Sequence, residues 1–323
     1  MTARNNRQFQ ALLALLLLPA LATAADSADA WLEQMNRALH ELSYEGRFVY
    51  QHGQTLEAMY LSHTVTDGRE HERLMSLTGL AREVIRDEES VTCIVAGPAD
   101  DQVDKQRSER RLAPVQSIRT DRLGEYYRFE LGGQQRVAGR NAQAISILPK
   151  DDLRYGYWLL LDQAHALPLA AATLDSEGRR ISQLLFTELH VGQLPEESPQ
   201  SLDAGADVTR LVHPRRLLEP ELQPRWSFHD LPGGFVQTRH RRRLMGRDDH
   251  EVEHFIFSDG LATVSVYVEE ERAPAAATGV SRLGAVTALR RALPGYQVTA
   301  VGEVPEHTLQ RFLDGIRAET AAP

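Results

Sequence analysis

Residues 29–52 read DAWLEQMNRALHELSYEGRFVYQH, and the hydrophobic period changes halfway through them. Trp31, Leu32, Met35, Leu39 and Leu42 recur at helical spacing, which predicts an α-helix over 29–42. Asp29 is placed to cap its start. After Gly46 the period becomes two: Phe48 and Tyr50 share one face and Val49 takes the other, as in a strand with one side buried. Outward from this switch, runs rich in β-branched and aromatic residues at 47–52, 57–66, 71–77, 82–87 and 91–96 predict strands. Thr66-Asp67-Gly68 is a hairpin signal, because Gly accepts positive φ. Runs at 122–131, 135–149, 155–162, 167–174 and 181–191 continue the series. Many closely spaced strands behind one helix predict a large antiparallel sheet curling around something.

The pattern then lapses. Residues 194–206 (LPEESPQSLDAGA) carry Pro, Ser, Gly and acid without periodicity and read as a linker, with a boundary near 205. Residues 207–224 are weakly patterned and hold three prolines. Strands are predicted again at 225–231, 236–245, 251–258, 261–269 and 296–302, with turns at Pro232-Gly233-Gly234 and Ser258-Asp259-Gly260. Residues 280–293 fit a short strand or a helix, and 305–318 read as a closing helix on Thr308, Leu309, Phe312, Leu313 and Ile316. A smaller mixed domain follows the large sheet.

The start of the chain decides its compartment. Arg4 and Arg7 precede the apolar run ALLALLLL at 11–18, Pro19 breaks it, and Ala22-Thr23-Ala24 offers small residues before Ala25. This is the order of a secretory signal peptide cleaved after Ala24. The run is short of the ~20 apolar residues that span a bilayer. With no Cys at the cleavage site, a lipid anchor on the new N-terminus is not expected. An exported protein of 299 residues is expected, and two domains suit that length. Residues 1–24 carry two arginines and no acid, so their removal takes the formal net charge from −9 to −11. That balance argues against nucleic acid as a partner. The single cysteine, Cys93, leaves no internal disulfide, and its apolar surroundings (SVTCIV, 90–95) make it a buried small hydrophobe.

No catalytic signature stands out. G-x-S-x-G and a phosphate-cradling glycine loop are both missing from the sequence. His250 and His254 with Glu251 and Glu253 form the densest histidine cluster, but Phe255-Ile256-Phe257 favours a strand. There, positions i and i+4 lie ~13 Å apart, too far for two ligands of one metal. Asp100-Asp101, Asp151-Asp152 and Asp248-Asp249 read as solvated loop residues. A glycosidase-type pair would meet only in space and stays open. No cofactor, metal or catalytic residue is expected. Two features point to binding instead. Arg239-His240-Arg241-Arg242-Arg243 concentrates positive charge in an acidic chain, fit for an acidic peptide or lipid phosphates, unless it is simply the solvated side of a strand. Phe48, Tyr50, Tyr127, Phe129 and Trp158 lie on predicted strands of the curved sheet, and an unfilled concave side would be an apolar cavity for acyl chains. Otherwise they form an ordinary core.

Several segments, taken in order, resemble the periplasmic sigma-E regulatory protein family, RseB and MucB. They are Tyr44-Glu45-Gly46-Arg47-Phe48-Val49-Tyr50; Asp67-Gly68 with Glu72-Arg73-Leu74, Gly79 and Arg82-Glu83-Val84; Arg136-Val137-Ala138-Gly139-Arg140; and Asp152 through Arg154-Tyr155-Gly156-Tyr157 to Leu161-Asp162 and Leu167-Pro168-Leu169. In the second half they are Leu231-Pro232-Gly233-Gly234-Phe235, Ser258-Asp259-Gly260-Leu261-Ala262, Ser265-Val266-Tyr267-Val268-Glu269 and Val301-Gly302-Glu303-Val304-Pro305. The charged loop 98–114 and residues 285–293 depart from the family pattern. The resemblance implies an α+β fold: a large N-terminal open antiparallel β-barrel wrapped on helix, like LolA and LolB, plus a smaller mixed α/β C-terminal domain. It divides the chain into a signal peptide (1–24), a lipid-sensing domain (25–205) and a partner-binding domain (206–323).

It also implies a periplasmic protein without catalysis. Such a protein binds the periplasmic segment of a membrane-spanning anti-sigma factor of the RseA/MucA kind and shields it from site-1 proteolysis. Lipid or lipopolysaccharide fragments in the large domain release it. A lipid can do this only if it binds the released state better than the bound one. Arg239, Arg241, Arg242 and Arg243 are the expected partner contacts, and the five aromatics the expected lipid contacts. Self-association stays open. A periplasmic lipid or lipoprotein carrier of the LolA/LolB type is the alternative, but it would have no use for 207–323. An envelope hydrolase would need a nucleophile or metal motif.

Overall fold

The computed structural model describes residues 27–96, 123–193, 199–202, 208–214, 223–245, 250–271 and 278–319. The expected signal peptide, Asp100-Asp101, the charged loop 98–114, Arg215-Arg216 and Asp248-Asp249 lie outside the described residues.

Helix α1 (Ala28–Glu41) carries its apolar stripe as Trp31, Leu32, Met35, Ala38 and Leu39, all buried. Ser27, not Asp29, is the N-cap: its Oγ accepts from Ala30 N at 3.2 Å, and Asp29 stands in the first turn, where its charge suits the helix dipole. Around α1 runs an eleven-stranded antiparallel sheet with the order β11-β5-β4-β3-β2-β1-β10-β9-β8-β7-β6. These strands are β1 (Tyr44–His52), β2 (Thr55–Thr66), β3 (Arg69–Ser76), β4 (Arg82–Arg86), β5 (Ser90–Ala96), β6 (Tyr127–Val137), β7 (Arg140–Pro149), β8 (Gly156–Asp162), β9 (Pro168–Leu174), β10 (Arg180–Val191) and β11 (Val208–Pro214). The ends of the sheet are not paired with each other, so the barrel is open, as expected. Leu32, Met35, Ile145, Leu159, Leu161 and Leu169 are fully buried in one cluster between helix and sheet. Each contributes on the order of 1.5–3 kcal/mol by leaving water. Gly46 on β1 has no room for a Cβ, which would run into the Glu188 carbonyl and the Phe186 ring.

The second domain is a six-stranded antiparallel sheet, β13-β14-β15-β18-β17-β16, backed by helix α2 (Glu306–Gly315). Its strands are β13 (Val236–Met245), β14 (His250–Ser258), β15 (Thr263–Glu270), β16 (Gly279–Leu283), β17 (Val286–Leu293) and β18 (Tyr296–Gly302). A short ribbon pairs β12 (Trp226–Phe228) with β19 (Ile316–Ala318). Phe255, Phe257, Val264, Val266, Val298 and Ala300 meet Leu309, Phe312 and Leu313 of α2 in its core.

Five sequence readings are corrected or resolved. The strand predicted over 122–131 starts at Tyr127. The run 135–149 is not one strand: Ala138 (φ +49°) and Gly139 (φ +76°) turn the chain between β6 and β7. Ala-Gly is a weak turn signal because Ala resists positive φ, unlike the Asp67-Gly68 turn that the sequence announced. The 280–293 ambiguity resolves as a hairpin around Gly284. The closing helix ends at Gly315 rather than 318, because the backbone at Gly315 packs too close to His229 for a side chain and then enters β19. The weakly patterned 207–224 contributes β11, which pairs with β5 and extends the large sheet to Pro214.

Candidate functional site

The two domains meet at the strand ends that carry residues 150–155, between β7 and β8. Asp151 Oδ1 accepts from Leu153 N at 3.0 Å, bending the loop, and from Arg154 Nε at 3.1 Å. Arg154 is thereby aimed into the seam. Its Nη1 donates to Asp259 Oδ2 at 2.9 Å and its Nη2 to the Gly233 carbonyl at 2.7 Å. The Arg154 and Asp259 side chains are both 0% exposed. Asp259 belongs to the Ser258-Asp259-Gly260 turn, where its Oδ1 accepts from the backbone N–H groups of Leu261 (2.9 Å) and Ala262 (2.7 Å). Tyr127 of the first domain donates its hydroxyl to Asp259 Oδ2 at 3.0 Å. Burial and the neighbouring Asp259 charge push that hydroxyl well above its ordinary range, so it remains a donor. The rings of Tyr126, Phe235 and Tyr127 surround the guanidinium, with centroids 4.7, 5.4 and 5.5 Å from Cζ.

Further contacts continue the seam. Leu261, next along the same turn, is buried in the first domain's core cluster. Thr308 Oγ1 at the start of α2 donates to the Leu153 carbonyl at 2.7 Å and is fully buried. A Cβ on Gly284 would lie 2.7 Å from that of His52, so the β16–β17 turn rests on the β1–β2 hairpin tip. The connecting chain is also anchored. Buried Glu83 pairs with Arg73 and accepts from Ser201 Oγ and Leu202 N, both at 2.8 Å, and Arg73 Nη1 donates to the Pro199 carbonyl at 2.7 Å.

The expected site residues fall in two places. Phe48, Tyr50, Tyr127, Phe129 and Trp158 all join the α1 cluster; Phe48 and Tyr127 are buried, and the other three are half-buried around them. Phe48 packs on Phe186 (centroids 5.3 Å apart), and Arg180 lies over Trp158 at 4.3 Å. Alternation divides the arginine run on edge strand β13 between two faces. His240 pairs with Phe255 and stacks on it at 4.5 Å, and Arg242 pairs with Glu253 and donates from Nη2 to the Gln223 carbonyl at 2.7 Å; both point to the α2 side. Arg239 and Arg241 pair with Ile256 and His254 on the other face, and Arg239 is exposed. Arg243 is placed by backbone register opposite Val252.

The remaining candidates are structural. His250 lies 2.8 Å from Glu269 Oε2, His254 is buried against Tyr267, and no metal-competent cluster occurs among the described residues. Asp151, read as a solvated loop acid, instead positions Arg154; Asp152 is exposed. Cys93 is buried between Val84 and Val95.

The chain matches the family models for the MucB/RseB N-terminal domain over residues 27–207 and the MucB/RseB C-terminal domain over 220–317. It is 34% identical over 317 residues to the sigma factor AlgU regulatory protein MucB of Pseudomonas aeruginosa, covering 95% of this chain and 98% of that protein. It is 28% identical over 303 residues to the sigma-E factor regulatory protein RseB of Escherichia coli K12, with 94% of each covered. Its fold superposes on a chain of the solved Pseudomonas aeruginosa MucA/MucB complex with a TM-score of 0.72 at 32% identity, covering 92% of this chain and 100% of that one. Both domains, in this order and nearly end to end, make the chain a member of the MucB/RseB family.

Proposed function

We propose that this protein is a periplasmic negative regulator of an envelope-stress response of the sigma-E type. It binds the periplasmic segment of a membrane-spanning, MucA- or RseA-like anti-sigma factor, shields it from site-1 proteolysis and releases it on binding lipid or lipopolysaccharide. The carrying observation is the near full-length match to MucB, whose structure is known in complex with MucA. The protein acts by binding, not catalysis. Residues 1–24 direct export, the large domain senses lipid and the smaller domain beyond β11 holds the partner. In this reading Arg239, Arg241, Arg242 and Arg243 help grip an acidic stretch of the partner, and exposed Arg239 on an edge strand suits that task. Phe48, Tyr50, Tyr127, Phe129 and Trp158 border the acyl-chain site; Tyr50, Phe129 and Trp158 are half-buried, and Phe48 and Tyr127 are buried in the same cluster.

The test is protease protection. Residues 25–323 are mixed with the anti-sigma periplasmic segment from the same genome and the site-1 protease, with and without lipopolysaccharide fragments. Protection that lipid relieves is expected. Lipid binding without any protection would sink the regulator reading and favour the carrier. Binding of a fatty-acid probe is expected to weaken in Trp158→Ala.

A further inference from the structure

One row across the α1-facing side of the large sheet is polar. Strand pairing aligns Ile147, Tyr157, Thr173, Ser182 and His52 across β7, β8, β9, β10 and β1. The four that follow Ile147 are polar, and all four are buried. The middle of the row satisfies itself, since Ser182 Oγ donates to Thr173 Oγ1 at 3.1 Å. Its two ends do not. Tyr157 Oη and His52 Nδ1 are buried and find no hydrogen-bond partner among the described residues. Native interiors leave few polar atoms in that condition, because each loses water and gains nothing.

The neighbouring row is apolar and not fully covered. Ala171 lies between Leu159 and Leu184 in the middle of the sheet, on the same side, and keeps part of its surface accessible. Tyr50, next to Leu184 in that row, is half-buried, and Leu131 at its far end is 46% exposed. An accessible apolar strip thus runs beside a buried hydroxyl that lacks an acceptor.

The charges around that hydroxyl select what it can bind. Burial, then Glu303 and Asp259, push the Tyr157 hydroxyl well above its ordinary range, so it remains an O–H donor. Both of those charges are negative. They oppose a carboxylate or phosphate at Tyr157 and leave an uncharged acceptor unpenalised. Granted the lipid sensing proposed above, we infer that Tyr157 donates to the uncharged carbonyl of an acyl ester or amide, whose chain lies along the strip through Ala171, Leu184 and Tyr50. Since Asp259 acts on this hydroxyl, the lipid's linkage sits beside the Arg154–Asp259 contact that joins the domains.

The test compares three lipids of one chain length on residues 25–323: monolaurin (an ester), N-lauroylethanolamine (an amide) and laurate (an anion). Calorimetric titration is expected to show at least one neutral lipid bound more tightly than laurate, and the tighter of the two identifies the linkage. Tyr157→Phe should weaken that lipid about fivefold, the worth of one hydrogen bond between neutral groups. The melting curve of the lipid-free variant should not fall, because the hydroxyl gives up no bond. For bound monolaurin, the ester carbonyl infrared band should lie at lower wavenumber in the wild type than in Tyr157→Phe. Wild type that binds none of the three lipids would overturn the lipid-sensing reading and this inference with it. Tight binding that is equal in wild type and variant, or laurate bound as well as the neutral lipids, overturns this inference alone. So does a lowered melting curve of Tyr157→Phe, which would assign the hydroxyl to the fold through a bound water.

Discussion

Arg154 and Arg239 carry the same guanidinium and are used in opposite ways. Arg154 is wholly out of water, held by Asp151, Asp259 and the Gly233 carbonyl inside a ring of aromatics. Arg239 stands exposed on an edge strand. A buried ion forms few but obligatory interactions, because leaving one partner unmatched exposes the full desolvation penalty of the other. A solvated ion contributes little to the fold and keeps its charge for what arrives from outside. The seam between the domains is therefore built as interior, and the β13 edge as surface.

The strongest way to break this contrast is Arg154→Ala. It leaves the Asp259 carboxylate buried beside an empty space, which should cost about 3–5 kcal/mol. Urea unfolding followed by a probe in each domain is the measurement. Because the clamp joins the domains, the variant should also split one transition into two. A single transition lowered by less than about 1 kcal/mol would show that the seam is held by its apolar contacts, such as Leu261, and that the ion pair is incidental.

The sequence displayed both arginines but gave no sign of the task of Arg154. Five basic residues in a row attract notice, whereas Arg154 is one arginine in a Tyr-rich stretch. Its partner Asp259 is 105 positions away and reads as an ordinary turn residue. Such a pair becomes visible only when topology brings the ends of β7 and β14 together. The same limit explains the strand errors. Asp67-Gly68 marked its turn chemically, while Ala138-Gly139 is forced to turn by the pairing of β6 with β7. Periodicity located α1 and most strands, because each of these records a local repeat; the open barrel came with the family resemblance. β11 escaped because an edge strand is pinned by its neighbour β5 and not by its own pattern.

An intermediate case sharpens the comparison. Arg140 at the start of β7 forks onto Asp162 at the end of β8 through Nε (3.0 Å) and Nη2 (2.9 Å), entirely within the first domain. Burial alone would raise the Asp162 pKa, but the bonds from Arg140 and His165 outweigh it and hold it below the usual range. A carboxylate whose pKa is lowered by folding adds stability that is present above its unfolded pKa, about 3.9, and is lost as pH falls through the folded value. Arg140→Gln should cost about 1.5–3 kcal/mol at neutral pH. The wild-type and variant stability curves should converge as pH falls below the unfolded carboxylate value of about 3.9 and Asp162 protonates. Curves that stay parallel into acid would mean that Arg140 acts by packing. Both domains should still unfold together, which separates this pair from the clamp.

The smallest effect on the fold is the most telling at the other extreme. Arg239→Ser removes a charge from an exposed side chain, so the melting profile should move by no more than about 0.5 kcal/mol. Affinity for the anti-sigma segment should nevertheless fall, and most clearly at low salt. Exposed charges attract over roughly 10 Å at 0.1 M ionic strength, and added salt shortens that reach. Titrating wild type and variant across salt concentrations would show converging affinities if the contribution is long-range charge. It would show a constant gap if Arg239 makes a desolvated contact with the partner. Affinities equal at every salt concentration would strip Arg239 of its partner role and leave β13 a solvated edge. Residue 239 would then keep its charge merely to stay in water, and the contrast with Arg154 would be one of solvation alone.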